Sequence, residues 1–545
     1  MNGGEEMKRV RDVVVFLVVV VLVLQFAVPM LAGRNVVTMN IGSDPRSVDP
    51  ALASTTNEHV LVNQLFEGLT RQGPEGIVPG VAKEWSFDKD TNTYTFILRD
   101  AQFSNGDPIT AEDFVYSWKR ALDPRTGSEY AYQLYYIKGA QALNEIDLAA
   151  PDAEEQINAG LETVGVRALD ESTLEVTLEG LAPYFLSLVA FPTYHPVNKN
   201  VVENDPDWGS SVTSLVSNGP YVLQSWVHGE KIVVVTNDKY WDKDIVSIDQ
   251  LDFLMIEQAN TQLIMWETGQ LDITTDNVPV TELDRLEKEG VLKKQPVIAT
   301  RFIFLNNERA PLDDPRVRSA LSMALDREAI THSVIKSGST PATAYVPPGM
   351  PEGTMDFRDV GGTLIEEDIA KAKALLAEAG FLDGKGFPEI EIMISANEKT
   401  KAIAEACIEM WKKNLNITTI EVRSVESKIA SERRRGFDFD MTFSGWYGDF
   451  LDPMTFLELA TSKSGQNSMQ YSNPDYDRLI EEVNMSSDEQ ERMTRMHQAE
   501  AILMKDMPLI PINVEGSTYL SNPRVQGVFR NILNMVDFKW AYIAN

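Results

Sequence analysis

Few side chains able to act as nucleophile, base or metal ligand are present, and they are scattered. Cys407 is the one cysteine, so an intramolecular disulfide is impossible. It sits in Ala404–Glu405–Ala406–Cys407–Ile408, a helical pattern that makes it a small core residue rather than a nucleophile. The five histidines, His59, His195, His228, His332 and His497, lie far apart, with no pair at metal-ligand spacing. No Gly-x-Ser-x-Gly elbow, His-Glu-x-x-His helix, phosphate-cradling glycine loop or Cys-x-x-Cys pair occurs. The carboxylate pairs Asp313–Asp314 and Glu366–Glu367 are adjacent in sequence, so their side chains face different ways on a regular element. The expectation is a protein that binds rather than catalyses, with no cofactor and no metal.

The bulk numbers bound what positions any site. The 545 residues are too many for one core, since cores stop growing at roughly 250–300 residues, so two or three domains are expected. Apolar residues at 43% and aromatic ones at 9% supply those cores. There are 81 acidic residues against 49 basic ones, a net charge of -32. A field of that sign repels nucleic acid and anionic lipid, which argues against both as partners. It suits a cationic or zwitterionic ligand, and equally it suits simple solubility.

At the N-terminus, Lys8, Arg9 and Arg11 precede an unbroken apolar run from Val13 to Leu24, and the apolar character resumes from Phe26 to Ala32. Residues 1–32 therefore read as a secretory signal or as an uncleaved anchor, because the stretch is near the ~20 residues that span a bilayer. Either way the rest of the chain lies outside the cytoplasm, in the periplasm or cell envelope. No cysteine is near enough for lipid anchoring.

Beyond Val36 helix and strand patterns alternate, which is an α/β class. Tyr94, Phe96 and Leu98 alternate with Thr93, Thr95 and Ile97 as in a half-buried strand. The turn Ser104–Asn105–Gly106–Asp107–Pro108 follows. Thr110-x-x-Asp113 is then a capping box for a helix that buries Phe114, Val115, Trp118 and Leu122 and ends at Asp123–Pro124. Lys231 to Thr236 reads as a strand. Thr363-x-x-Glu366 is expected to cap a helix with Ile369, Ala372, Leu376 and Ala379 on one face and Gly380 as its stop, and Ser472-x-x-Asp475 to start another with Pro474 in its first turn.

Several segments, in order, resemble the family-5 extracellular solute-binding proteins, in their oligopeptide-binding branch. They are Asn63–Gln64–Leu65–Phe66–Glu67–Gly68–Leu69, the run Val78 to Trp85, and Tyr94–Thr95–Phe96–Ile97–Leu98–Arg99 leading through Phe103–Ser104–Asn105–Gly106 to Ala111–Glu112–Asp113–Phe114–Val115. Ser217–Asn218–Gly219–Pro220–Tyr221, Asn306–Asn307, Asp314 to Leu321 and Gly445–Trp446–Tyr447–Gly448–Asp449 complete the set, so the resemblance spans essentially the whole chain beyond Val37. It implies a two-lobed clamshell of the large three-domain type (class II). Lobe I would be 36–70 plus 207–298 plus 516–545, an inserted domain II 71–206, and lobe III 299–515, with two crossing strands as the hinge. Ligand would be enclosed when the lobes close.

The same resemblance implies roles for particular residues. Asp449 falls where relatives place the acid that holds the ligand's N-terminal amine, and Trp446 where they line a side-chain pocket. Glu58 falls in the first ligand-contacting loop, with Asn57 and Val60 beside it, and Tyr130 comes from domain II. Gly445 and Tyr447 flank Trp446. Backbone groups around Thr300–Asn306 and Phe439–Gly445 would bind the ligand main chain as an added strand. The sequence departs from the pattern at Phe443 and near Thr400 and Ser427, where relatives carry arginine, histidine and tryptophan. Of Arg433, Arg434 and Arg435, Arg434 is the expected anchor for a ligand carboxylate, unless the triplet is a solvated helix end.

The implied function is a monomeric receptor that captures short peptides for an inner-membrane ATP-binding-cassette (ABC) permease. The alternatives are the same fold around an oligosaccharide, haem or metal chelate, and a chaperone-like surface protein.

Overall fold

The computed structural model describes residues 35–544 apart from Leu181, Ser337, Ala396 and Ser487, so the signal or anchor expected over 1–32 lies outside the described residues. Among them, no helix is long and apolar enough to cross a membrane.

Three sheets organise the chain. The first has the order Val36–Asn40, Gln250–Leu254, Lys231–Thr236, Tyr221–Val227. Val36–Asn40 pairs in parallel with Gln250–Leu254, and the other pairings are antiparallel. The second is wholly antiparallel, in the order Ala82–Asp88, Thr93–Leu98, Thr173–Thr177, Val166–Asp170. Tyr94, Phe96 and Leu98 are buried as their alternation requires. The helix Ala111–Leu122 packs over this sheet. Its Thr110–Asp113 capping box forms, with Thr110 N–H donating to Asp113 Oδ2 at 2.8 Å. Trp118 on the same helix is fully buried and donates to the Tyr194 carbonyl at 2.7 Å.

The third sheet has six strands, in the order Thr340–Pro341, Leu509–Leu520, Leu292–Leu305, Met441–Tyr447, Ile390–Ser395, Ile420–Val425. Two of them are long. Leu292–Leu305 has 14 residues and Leu509–Leu520 has 12. At ~3.3 Å per residue the first spans about 45 Å, enough to pass from one body of the molecule to another. One end does abut the first sheet, where Thr274 N–H donates to the Leu520 carbonyl and Ile273 bridges both Met39 and Ser521. The ladder between the two strands is broken between Pro296 and Thr300. Proline has no N–H to give to a ladder, so the break falls where the sequence puts one.

Two helix starts differ from the expectation. Asp368, not Thr363, caps the helix Ile369–Glu378, its side chain accepting from the N–H groups of Ala370 and Lys371. Leu364 and Ile365 N–H are instead taken by the Thr343 carbonyl, which ties the Thr363 segment into a non-helical path. Asn473, not Ser472, caps Pro474–Met485, accepting from Asp475 and Tyr476. With proline at the first helical position, the residue before it is driven out of the α region and becomes the cap. Cys407 is fully buried in the helix Glu398–Leu415, and burial pushes its thiol up to about 12, as an inert core residue requires.

Candidate functional site

A cavity of about 340 Å³ is lined by segments that lie far apart in the chain. Its lining comes from the start of the helix Thr56–Leu65, from Glu129, Tyr130 and Phe191, from Phe302 and Phe304, from Arg434, from the run Ser444 to Asp449, and from Leu533 to Val536. Of the residues singled out in the sequence, Val60, Tyr130, Arg434, Gly445, Trp446, Tyr447 and Asp449 line it together.

Asp449 is 8% exposed. Its Oδ2 accepts from Gln133 Nε2 at 2.9 Å and from the Tyr132 hydroxyl at 3.4 Å, while its own N–H donates to Thr455 Oγ1 at 2.9 Å. No lysine, arginine or histidine among the described residues forms an ion pair with it. Burial pushes the carboxyl up to about 8, with the hydrogen bond from the Tyr132 hydroxyl opposing. A carboxylate is costly to bury without a cation, so burial favours the neutral form of this group.

Aromatic rings surround the acid. Tyr130 stacks on Trp446 at 6.5 Å between centroids and 16° between planes, and on Phe191 at 5.3 Å. His59 meets the edges of Tyr130 and Phe191. Burial lowers His59 to about 4, so it is a neutral wall. The Trp446 indole N–H is buried and has no acceptor among the described residues. Gly445 is required by packing, since a Cβ there would meet Arg301 Cδ at 2.7 Å, and Arg301 is held at 2.5 Å by Glu515.

Arg434 enters from the helix Ser427–Arg435 and donates to Ser444 Oγ at 3.0 Å. It is half-buried and forms no ion pair among the described residues. Burial pulls its guanidinium down from the ordinary value, with the field of Glu129 opposing. Its neighbours are engaged elsewhere: Arg433 with Glu391 and Asp438, Arg435 with Glu129. Of the charged side chains lining the cavity, Glu129 is paired with Arg46 and Arg435, whereas Asp449 and Arg434 form no ion pair among the described residues.

Two candidates are placed differently from the expectation. Glu58 does not line the cavity. It is 1% exposed, and both its oxygens are consumed locally: Oε1 accepts from Arg46 N–H, and Oε2 from the N–H groups of Ser54 and Thr55. The glutamate three residues into the helix closes a capping box with Thr55, which is why it turns inward. Asn57 also stays outside the lining, its amide donating to the Ser43 carbonyl. The backbone of Thr300–Asn306 is likewise taken, because Leu292–Leu305 has a strand on each side. Met441–Tyr447 differs. Its outer neighbour, Ile390–Ser395, pairs only as far as Thr442. From Phe443 to Tyr447 that edge has no strand partner among the described residues, and it faces the cavity.

Gln133, Tyr132, Phe191 and His59 were not singled out as site residues by sequence reasoning. Gln133 and Tyr132 follow directly on Tyr130, a clue that this short segment approaches the acid.

Contacts beside the cavity join the segment that carries Tyr130 to the segments around Asp449 and Arg434. Tyr136 donates to Glu458 Oε2 at 2.9 Å, Tyr184 stacks on Phe450 at 4.5 Å, and Glu129 accepts from both Arg46 and Arg435. Distant segments that meet around a cavity with a buried, cation-free carboxyl are the arrangement of a clamshell binding protein.

The comparisons agree with that class. Residues 76–468 match the family described as bacterial extracellular solute-binding proteins, family 5 Middle, and the chain belongs to this family. It is 36% identical over 521 residues to the oligopeptide-binding protein OppA of Bacillus subtilis, covering 94% of this chain and 93% of that protein. The crystal structure of Haemophilus influenzae OppA in complex with the peptide RPPGFSPFR superposes with a TM-score of 0.84 at 30% identity, over 94% of this chain and 99% of that one. An unliganded open form of the murein tripeptide-binding protein MppA reaches 0.65 at 33% identity, over 94% and 98%. The fold is the two-lobed α/β clamshell, and its arrangement here is nearer the peptide complex than the open form.

Proposed function

We propose that this chain is an exported receptor that captures short peptides in the cell envelope and delivers them, as a monomer, to an ABC permease. The observation that carries the reading is Asp449, a buried carboxylate without a cation, inside a cavity between closing bodies. A peptide's N-terminal ammonium is the partner it lacks. Arg434 is the base for a ligand carboxylate, and the free edge Phe443–Tyr447 gives main-chain groups to an extended ligand lying along it. Trp446 and Tyr130 flank the first side chain with rigid apolar area.

On this reading the first sheet belongs to lobe I, the second to domain II and the third to lobe III, and the strands Leu292–Leu305 and Leu509–Leu520 form the hinge around the break at Pro296. Relatives named for oligopeptides and dipeptides support the ligand class.

The test is to denature the purified protein and read the released ligand by mass spectrometry. A ladder of mixed peptides is the expected result. A single sugar, haem or metal complex would overturn the peptide assignment. Holdase activity surviving Asp449→Ala would favour a chaperone role instead.

A further inference from the structure

A second cavity, of about 250 Å³, shares no lining residue with the first. It lies at the ends of the two long strands nearest the first sheet, lined by Lys293 of one, Tyr519 of the other, and the segment Ser521 to Arg530 that follows. In a chain of net charge -32, its lining contains no aspartate or glutamate and two cations, Lys293 and Arg530.

Arg530 is the unusual member. Its guanidinium carbon lies over the Tyr519 ring, 3.9 Å from the ring centre. Its Nε is sealed from solvent without a hydrogen-bond partner, and no carboxylate pairs with it among the described residues. Asp276 is the one acid whose field reaches it, and burial still draws the guanidinium below its ordinary value. Lys293 is exposed and forms no ion pair among the described residues. By contrast Arg524, in the same segment, is fully engaged by Asp272 and stays out of the lining. A planar guanidinium oriented on a ring, with a second cation near and no acid in the wall, is a receptor for a planar or tetrahedral oxyanion.

We infer that this cavity is a second ligand site, separate from the peptide cleft, and that it takes a small oxyanion between Arg530 and Lys293. The shared chemistry is a compact anion with at least two oxygens, as in inorganic phosphate or a short dicarboxylate. Its size excludes a folded partner and suits a free solute.

The test is calorimetric titration of the purified protein with inorganic phosphate and, separately, with succinate, at ionic strength held constant with chloride. One saturable site is expected for at least one of these anions, which also says which source is preferred. Arg530→Gln should weaken it about tenfold or more. Lys293→Gln, an exposed change that leaves the packing alone, should weaken it by a smaller factor. Asp449→Ala should leave anion binding unchanged, because it acts in the other cavity. Circular dichroism and melting temperature check that Arg530→Gln folds, and Lys293→Gln carries the test if it does not. No saturable binding of either anion up to tens of millimolar, or binding that both basic-residue variants leave untouched, would overturn the proposal.

Discussion

Gln133 and Asp449, 316 residues apart in the chain, are joined side chain to side chain at 2.9 Å. The amide comes from the segment after the helix Ala111–Leu122, and the acid from the end of the strand Met441–Tyr447. An amide donor orients the carboxylate without neutralising it. One oxygen is held, and the other, Oδ1, accepts no hydrogen bond from any described residue. That second oxygen is left without a donor from the described residues.

That arrangement predicts proton release on binding. In this closed arrangement burial holds the Asp449 carboxyl at about 8, so for as long as the free protein keeps the cleft closed it is neutral at pH 6 to 7. An arriving ammonium favours the ionised form and drives the value down, so about one proton leaves per peptide bound in that range. Affinity for a free-amine peptide therefore rises with pH toward about 8. Above that it falls, as the peptide's own amine loses its proton near roughly 8. Calorimetry in buffers of different ionisation enthalpy measures the proton count. Asp449→Asn should release none, and a wild-type count of zero would contradict a neutral acid in the empty cavity.

Arg434 should read the other end of the ligand. Arg434→Gln is expected to weaken binding of a peptide with a free carboxylate by about 1.5–3 kcal/mol, the range for hydrogen bonds to a charged group. The C-terminal amide of the same peptide should be nearly indifferent to the change. Equal losses for acid and amide would remove Arg434 from the anchoring role.

Glu58 should behave as a structural residue. Its carboxylate accepts the backbone N–H groups of Ser54 and Thr55 at the start of the helix Thr56–Leu65, and that of Arg46 from the segment before it. Glu58→Ala should lower stability by about 1–3 kcal/mol, a melting shift of a few degrees, by leaving those donors unpaired. Peptide affinity measured well below the melting point should stay within about twofold. A large affinity loss with unchanged melting would return Glu58 to the ligand.

Much of the fold is legible in the residues. The alternation at Tyr94, Phe96 and Leu98 and the Thr110–Asp113 box appear as read, because local pattern and tertiary burial agree there. The Thr363 box is the opposite case: Leu364 and Ile365 are captured by a carbonyl at Thr343, a contact between distant segments that local spacing does not encode. The same divide runs through the site. Asp449 and Trp446 could be singled out because they sit in one short motif. Phe191 reaches the cavity, and Gln133 reaches Asp449, only through the packing of segments distant in the chain. Glu58 carries a ligand-like side chain, yet its own helix start consumes it. The free edge at Phe443–Tyr447 is a property of where a neighbouring strand stops pairing, which no side chain records.

The most direct measurement is calorimetry of a free-amine tripeptide on wild-type protein and on Asp449→Ala, with the N-acetylated peptide as a second ligand. A guest ammonium held by this acid predicts a loss of about 2–5 kcal/mol in the variant, roughly thirtyfold to several thousandfold, and a comparable loss when the wild type meets the acetylated peptide. Unchanged affinity of Asp449→Ala for the free-amine peptide would contradict the account.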